Sequence, residues 1–264
     1  MPDTRVLGNA LLVRQAAVLL AAACVGVLFL ISHELLAAAI VVVVLLAMTL
    51  LLKEPSSRGL AVLAVSLYLI VSPGVFGLWP LSGFVAVGVA FGAAKILRVD
   101  EAWRPWLRTG RWTADVPWTV LALIFLTGFA LVTWQQLFDG RPPQEYVDSA
   151  AGRSVGVIVA AGLLFSLINA AVEEAIFRGV LQEAAIAAYG VPLGIALQAI
   201  AFGVLHLVGV PSGVVGAIMA GGWGLALGLL RWRTRGIVAP FVAHVAADLT
   251  IVLLLLPVLT ESPQ

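Results

Sequence analysis

Long runs of apolar residues alternate with short polar segments along the whole chain. The runs are rich in leucine and alanine and lack the strict alternation of apolar and polar positions that a membrane β-barrel requires. A helix needs about 20 apolar residues to cross a bilayer. Runs near that length lie at residues 15–31, 35–52, 59–77, 80–97, 117–138, 154–172, 192–208, 211–231 and 237–257. The pattern predicts an all-α, polytopic membrane protein with eight or nine transmembrane helices, depending on whether 173–190 extends one helix or forms another.

The composition supports this prediction and excludes several other classes of protein. Of the 264 residues, 62% are hydrophobic and 11% are charged, whereas soluble domains are about 45–50% apolar and about 25% charged. A soluble enzyme and a disordered protein are therefore both excluded. The net charge of +1 provides no basic surface for nucleic acid. The single cysteine, Cys24, excludes an intramolecular disulfide.

The distribution of basic residues predicts how the chain crosses the membrane. Arginines near the N-terminus, in the segment 98–115 and in the segment 231–235 alternate with connections that are poor in cations. Because cytoplasmic loops carry an excess of Lys and Arg, we expect the N-terminus and both basic segments to be cytoplasmic and the C-terminus to be outside. Four tryptophans at the first basic segment are expected to be interfacial anchors. They are Trp103, Trp106, Trp112 and Trp118.

Two further expectations concern the source organism and the first apolar run. Arginine far outnumbers lysine, and alanine and glycine are abundant. This bias indicates a GC-rich bacterial genome and hence the inner, or plasma, membrane of a bacterial cell. The residues before Cys24 weakly resemble a lipoprotein cleavage site, but the apolar run continues to Ile31. An uncleaved first span is therefore favoured over a signal peptide.

The apolar runs change in character near residue 150. Earlier runs contain almost no ionisable residues, whereas later runs contain several, and each costs about 2.5–3.5 kcal/mol to insert into a bilayer, so it indicates function by default. These residues are Glu173, Glu174, Arg178, His206, His244 and Asp248. We expect residues 1–114 to form N-terminal helices and a basic loop, 115–257 to form the domain that carries the chemistry, and 258–264 to form a short tail.

Helical spacing predicts which of these side chains share a face. Glu174 and Arg178 are four residues apart, so they lie on one helix face and can form an ion pair. His244 and Asp248 have the same spacing, so the carboxylate can orient the imidazole.

A predicted helical hairpin brings the first two groups together. Gly is common just after a helix and Pro in its first turn, so a turn at residues 190–192 is expected. Glu173 and His206 lie almost equally far from this turn in sequence. The hairpin would therefore place the two side chains at nearly the same depth.

Carboxylates and imidazoles in an apolar cavity suit hydrolysis. A carboxylate at such a site can act as a base toward water. His206 and His244 could bind a divalent metal such as zinc, together with Glu173 or Asp248. They could instead stabilise an oxyanion. The chain contains no His-Glu-x-x-His motif, so a zincin helix is absent.

Three motifs in this region together resemble a known family. They are Glu-Glu-x-x-x-Arg at 173–178, Phe-x-x-x-His at 202–206 and His-x-x-x-Asp at 244–248. In this order they are similar to the CPBP family of intramembrane proteases, also known as the CAAX-protease and bacteriocin-processing family. The resemblance covers roughly residues 115–257. The third motif ends in Asp248, where many members carry Asn, and both residues are within the family's range.

The resemblance implies an enzyme, a CAAX-type peptidase that hydrolyses peptide bonds of a membrane-embedded or lipidated peptide or protein. Glu173 would be the general base that activates water, and His206 would be its partner. His244 and Asp248 would bind a metal or stabilise the oxyanion. Glu174 and Arg178 would hold the first motif together. The family is labelled a metalloprotease family, although a metal-independent glutamate mechanism is also argued for it. One divalent metal, with zinc as the candidate, is therefore an open expectation.

Other functions are compatible with the same ionisable residues. The chain could be a non-catalytic immunity protein or scaffold in the membrane, or, less favourably, an ion-coupled transporter. Transporters often have two similar halves, whereas the ionisable residues here lie only in the C-terminal half. A glycine-rich stretch could suggest a nucleotide loop, but close helix packing is the better interpretation. Its glycines are Gly213, Gly216, Gly221, Gly222, Gly224 and Gly228.

Overall fold

The structure is a computed structural model that describes residues 4–31, 34–71, 79–104, 108–138 and 144–260. Within these ranges every regular element is helical and no strand is formed, which confirms the predicted all-α class. The helices are α1 (Thr4–Gly26), α2 (Leu28–Ile31), α3 (Leu35–Leu51), α4 (Pro55–Val71), α5 (Leu81–Ile96), α6 (Asp115–Phe138), α7 (Gln144–Ala150), α8 (Val155–Glu173), a π-helical segment (Glu174–Leu181), α9 (Gln182–Tyr189), α10 (Val191–Leu205), α11 (Gly213–Thr234) and α12 (Val238–Thr260).

Five helical stretches in the described ranges are long and apolar enough to cross a membrane. They are Gly8–Gly26, Asp115–Phe138, Val155–Tyr189, Gly213–Thr234 and Val238–Thr260. Helices α3, α4, α5 and α10 are apolar but have only 10–17 residues. Each predicted run therefore overlaps a helix, although residues 72–77 of the run 59–77 lie outside the described residues. The predicted count of eight or nine transmembrane helices is not confirmed, because α3, α4, α5 and α10 are short.

The structure selects one of the two alternatives for residues 173–190 and changes one predicted boundary. The stretch 173–190 extends the preceding helix, since Val155–Tyr189 is one continuous helical stretch of 35 residues. The first helix begins at Thr4 rather than at residue 15. Arg14 therefore lies inside α1, where its Nε is 4.0 Å from Oε2 of Glu54. Because Arg14 interrupts the apolar residues of α1, the hydropathy pattern does not show where that helix begins.

Glu54 also lies just before helix α4 and stabilises its first turn. Its carboxylate oxygens accept hydrogen bonds from the backbone N–H groups of Ser56 at 3.1 Å and of Ser57 at 2.7 Å. These N–H groups would otherwise lack partners in the first turn of the helix. Partial burial works to raise the pKa of Glu54, but the hydrogen bonds from Ser57 and Ser56 hold it below its usual value.

One hydrophobic core joins the N-terminal helices to the region that carries the motifs. Helix α1 packs on α4 and α10, α10 packs on α11, and α8 packs on α12. The same cluster of buried residues includes Val18 of α1, Leu63 of α4, Ala90 of α5 and Phe202 of α10. The N-terminal helices therefore support the later ones directly. The division at residues 114 and 257 stays a prediction.

The two basic segments lie side by side. The N–H of Arg111 donates to the carbonyl of Thr234 at 2.7 Å, and the N–H of Ile237 donates to the carbonyl of Arg108 at 3.0 Å. A Cβ on Gly236 would lie 2.2 Å from Cα of Gly110, so only glycine permits this approach. This contact agrees with the prediction that both segments are on one side of the membrane.

The predicted tryptophan anchors do not form one group. Trp112 and Trp118 are 49% and 73% exposed, as interfacial residues are. Trp103 is only 2% exposed and packs beside Phe91, with its Nε1 next to Gly59, so it is a core residue and the anchor prediction is wrong for it. Trp106 and the last tail residues, 261–264, lie outside the described residues.

Candidate active site

The first motif lies where α8 passes into the π-helical segment. Glu173 is the last residue of α8, and Glu174 begins the wider π turns. Short π segments inside α-helices are frequent at functional sites. Every residue of this segment is buried. Nη1 of Arg178 lies 2.9 Å from Oε1 of Glu174, which is the ion pair predicted from their spacing.

His244 of α12 contacts both glutamates of the first motif. Its Nδ1 is 2.7 Å from Oε1 of Glu174, and its Nε2 is 3.4 Å from Oε2 of Glu173. An ionised carboxylate only accepts hydrogen bonds, so the close contact with Glu174 requires a proton on Nδ1 of His244. Nε2 also faces Asp248, whose Oδ1 is 3.7 Å away. The predicted pairing of His244 and Asp248 on one helix face is thus present as a longer contact.

His206 follows the last residue of α10. Its Nδ1 is 2.9 Å from the carbonyl oxygen of Phe202. A carbonyl only accepts hydrogen bonds, so Nδ1 of His206 donates and its Nε2 remains an acceptor. The Phe202 ring lies between the two imidazoles, with ring centroids 4.5 Å from His206 and 6.0 Å from His244.

The predicted hairpin is confirmed. Gly190 has a φ of 81° and connects α9 to α10, and Pro192 lies in the first turn of α10. A φ in this region is easy only for glycine. The hairpin returns the chain toward the first motif, so that Glu173 and His206 line the same cavity.

This cavity has a volume of about 910 Å³ and is mostly apolar. Four of the predicted site residues line it, namely Glu173, His206, His244 and Asp248. Glu174 and Arg178 do not line it and lie behind His244, with side chains 1% and 0% exposed. The predicted set therefore divides into four groups that reach the cavity and two that support them.

Two polar residues at the cavity were not predicted from the sequence. Nδ2 of Asn169 donates to Oδ2 of Asp248 at 3.0 Å, and Nε1 of Trp79 donates to Oδ1 of Asn169 at 2.6 Å. Asn169 is one helical turn before Glu173, so its spacing could have revealed it. Trp79 precedes α5 and had no sequence signal that connects it to the motifs.

The arrangement of donor atoms bears on the metal site that the sequence suggested. No group of three or more His, Cys, Asp or Glu side chains within the described ranges is placed to hold a metal ion. Nδ1 of His206 donates to a carbonyl, and both nitrogens of His244 face carboxylates. Metal binding by His206 and His244, with Glu173 or Asp248, is thus not supported by the geometry and stays a prediction.

The fold and the cavity define a helical membrane protein with acidic and imidazole side chains gathered inside its bundle. Comparison with known families identifies the kind of protein more closely. Residues 155–250 match the family model described as "Type II CAAX prenyl endopeptidase Rce1-like". This match confirms the resemblance to the CPBP, or CAAX-protease, family for that segment. No curated protein and no solved structure gave a significant match.

The matched segment contains all three motifs. It begins at the first residue of α8 and ends within α12, so it is shorter than the predicted range of 115–257. The match covers this segment and not the rest of the chain, and the description of the family is that of an endopeptidase. Phe29 and Trp79, which also line the cavity, lie outside the matched segment.

Proposed function

We propose that this protein is an intramembrane endopeptidase that hydrolyses a peptide bond of a membrane-embedded or lipidated peptide or protein. One observation carries the proposal: Glu173 of α8, His206 just after α10 and His244 of α12 line one cavity within an apolar helical bundle. A carboxylate base, an imidazole acceptor and an imidazole donor are the groups that amide hydrolysis by water requires.

In the proposed reaction, Glu173 takes a proton from a water molecule that hydrogen-bonds to Nε2 of His206. The water oxygen forms a bond to the carbonyl carbon of the scissile amide. The developing oxyanion accepts a hydrogen bond from Nε2–H of His244, whose other nitrogen donates to Glu174. The C–N bond then breaks, and Glu173 passes its proton to the leaving amine.

The remaining polar residues position these groups. Arg178 pairs with Glu174, which fixes the orientation of His244. Asp248 lies one helical turn after His244, near the same nitrogen that faces the cavity. A carboxylate beside an imidazole both orients the ring and stabilises its protonated form during reaction. No step is assigned to a metal ion, because the described residues provide no group of three donors.

The shape and chemistry of the cavity favour an apolar substrate. Its walls are mostly aliphatic and aromatic, and it extends along α8 from Val157 to Glu173. At 1.5 Å per residue this corresponds to about 24 Å of helix. A membrane-spanning peptide or a lipid-modified chain end fits such a lining, and the family description names prenyl endopeptidases.

The test compares cell membranes that contain the wild type with membranes that contain Glu173→Gln. Gln cannot accept a proton from water, so peptides that the wild type cleaves should accumulate uncut, and cleavage should fall by about 10²–10⁴-fold. Quantitative proteomics of peptide ends measures both the accumulation of uncut peptides and the fall in cleavage. Glu34→Gln is the matched control, since Glu34 is exposed and does not line the cavity.

The outcomes separate the proposed function from its alternatives. Cleavage that persists in Glu173→Gln at normal protein level would rule out a glutamate-dependent peptidase. A biological effect that survives without any cleavage would support an immunity protein or scaffold. Ion-dependent uptake into proteoliposomes would support a transporter.

A further inference from the structure

A polar chain connects the N-terminal helices to the proposed catalytic groups. It runs from the indole N–H of Trp79 through the side-chain amide of Asn169 to the carboxylate of Asp248, with hydrogen bonds of 2.6 and 3.0 Å. Asn169 and Asp248 are each 6% exposed, so the hydrogen bond between them is buried, whereas the bond from Trp79 is partly buried. Buried polar groups of this kind are stable only when they are paired.

The indole fixes which way the amide of Asn169 faces. An indole N–H can only donate, so the amide atom next to Trp79 must be the oxygen. The NH₂ group of Asn169 is then directed at Asp248, where it donates to Oδ2. With Oδ2 occupied, Oδ1 is the oxygen that faces Nε2 of His244 at 3.7 Å.

The surrounding residues hold the indole ring in place. Its ring packs edge to face against Phe29, with centroids 5.1 Å apart. On another side, a Cβ on Gly83 of α5 would lie 2.5 Å from the indole ring, so the glycine allows the ring to approach α5 closely. Residues of the N-terminal helices therefore hold the indole ring of Trp79, while its N–H bonds to Asn169 of α8.

We infer that Asn169 and Trp79 are positioning residues that orient Asp248, and through it His244, for peptide-bond hydrolysis. This inference rests on the proposed function. It assigns a role to the N-terminal helices, since they hold the first member of a chain that ends at the catalytic groups. Neither residue touches the reacting bond.

The matched variants are Trp79→Phe and Trp103→Phe. Both replace an indole with a phenyl ring, but the Nε1 of Trp103 is buried without a hydrogen-bond partner among the described residues, and Trp103 does not line the cavity. Trp79→Phe should lower kcat roughly three- to tenfold with little change in KM, as expected for loss of one hydrogen bond. Trp103→Phe should leave kcat unchanged. The substrate is a peptide that spans a cleavage site found in the membrane comparison above.

Asn169→Ala tests whether the two residues act as one chain. It should lower kcat roughly ten- to a hundredfold, because it leaves the carboxylate of Asp248 unpaired. Adding Trp79→Phe to Asn169→Ala should lower kcat no further, because the effect of Trp79 passes through Asn169. If the two losses multiply instead, or if Trp79→Phe behaves like Trp103→Phe, the inference is overturned.

A measurement without substrate tests the same geometry. In protein labelled with ¹⁵N at the indole nitrogens, the Nε1–H resonance of Trp79 is assigned by its loss in Trp79→Phe. That resonance should shift in Asn169→Ala, whereas the Trp103 resonance should not. An unchanged Trp79 resonance would exclude the hydrogen bond. If Glu173→Gln abolishes cleavage while Trp79→Phe and Asn169→Ala leave kcat intact, only this inference fails and the proposed function stands.

Discussion

Arg178 is a charged residue that reaches neither water nor the cavity. Its side chain is 0% exposed, and its Cζ lies 4.4 Å from the centre of the Phe202 ring. None of its three guanidinium nitrogens has a hydrogen-bond partner in the described part of the chain. Burial of such a group is expensive unless an opposite charge is close, and Glu174 provides that charge. The pair therefore fixes the framework around His244.

Arg178→Met should destabilise the fold strongly. It leaves the carboxylate of Glu174 buried without its ion-pair partner, which typically costs about 3–5 kcal/mol. Denaturation in detergent micelles, followed by circular dichroism, measures the free energy of unfolding. The control is Arg104→Met, because Arg104 is 67% exposed and its pair with Asp100 should contribute about 1 kcal/mol or less.

A double variant separates stability from activity at this pair. Glu174→Gln combined with Arg178→Met removes both charges, so it should recover part of the lost stability. It should not recover cleavage, because the carboxylate that accepts the hydrogen bond of His244 is also gone. Equal stability of Arg178→Met and Arg104→Met would contradict the proposed role of the ion pair.

The sequence singled out the six ionisable residues that the structure brings together, but not their uncharged neighbours. Glu173 and His206 stand out because a charged or imidazole side chain in an apolar run has few structural explanations. Asn169 carries no charge, and a tryptophan such as Trp79 is ordinary in a membrane protein. Their importance comes from a contact between distant segments, which no local pattern records.

At the scale of elements, glycine governs how closely α10 and α11 approach. A Cβ on Gly224 would lie 3.2 Å from Cα of Ala199, and a Cβ on Gly228 would lie 2.5 Å from Nε2 of Gln198. These contacts confirm that the glycine-rich stretch serves close packing. The interpretation does not hold for Gly213 and Gly222, where a Cβ would meet no other atom within 4 Å.

Gly203→Ala should loosen the packing of α10 on α11. Its Cβ would lie 2.6 Å from the carbonyl oxygen of Ala217, a backbone atom that cannot rotate away. Separation of the helices should cost about 1–3 kcal/mol of stability and move His206, which follows α10. Thermal unfolding in detergent and a cleavage assay measure the two effects. Gly128→Ala is the control, since its Cβ would meet no atom within 4 Å. Equal effects of both variants would refute the packing argument.

Helix positions were easier to predict than helix lengths. The hairpin at Gly190 follows from local chemistry, because glycine adopts a positive φ and proline begins helices. The number of membrane-spanning helices does not follow in the same way. Helices α3, α4, α5 and α10 are apolar yet short, and α4 is largely buried among its neighbours. Hydropathy does not distinguish a helix covered by protein from one covered by lipid.

For the whole molecule, the remaining chemical question is whether hydrolysis involves a metal ion. Because the described residues offer no group of three suitable donors, we expect cleavage to persist in purified protein after treatment with EDTA or 1,10-phenanthroline. Elemental analysis by mass spectrometry should find less than one equivalent of zinc. Loss of cleavage on chelation, with recovery on adding Zn²⁺, would show that a metal takes part.

The residues that line the cavity come from the whole length of the chain. The six ionisable site residues, by contrast, all lie between residues 173 and 248. Phe29 and Trp79 come from the N-terminal part, and Leu126 and Tyr146 come from α6 and α7, all before the segment that the family model matches. Exchange of the walls from α6 and α7 would leave both the six ionisable site residues and the chain from Trp79 through Asn169 to Asp248 unchanged. Two proteins that share the same motifs can therefore carry out one reaction and still select different substrates, and choice of substrate is free to diverge without loss of catalysis.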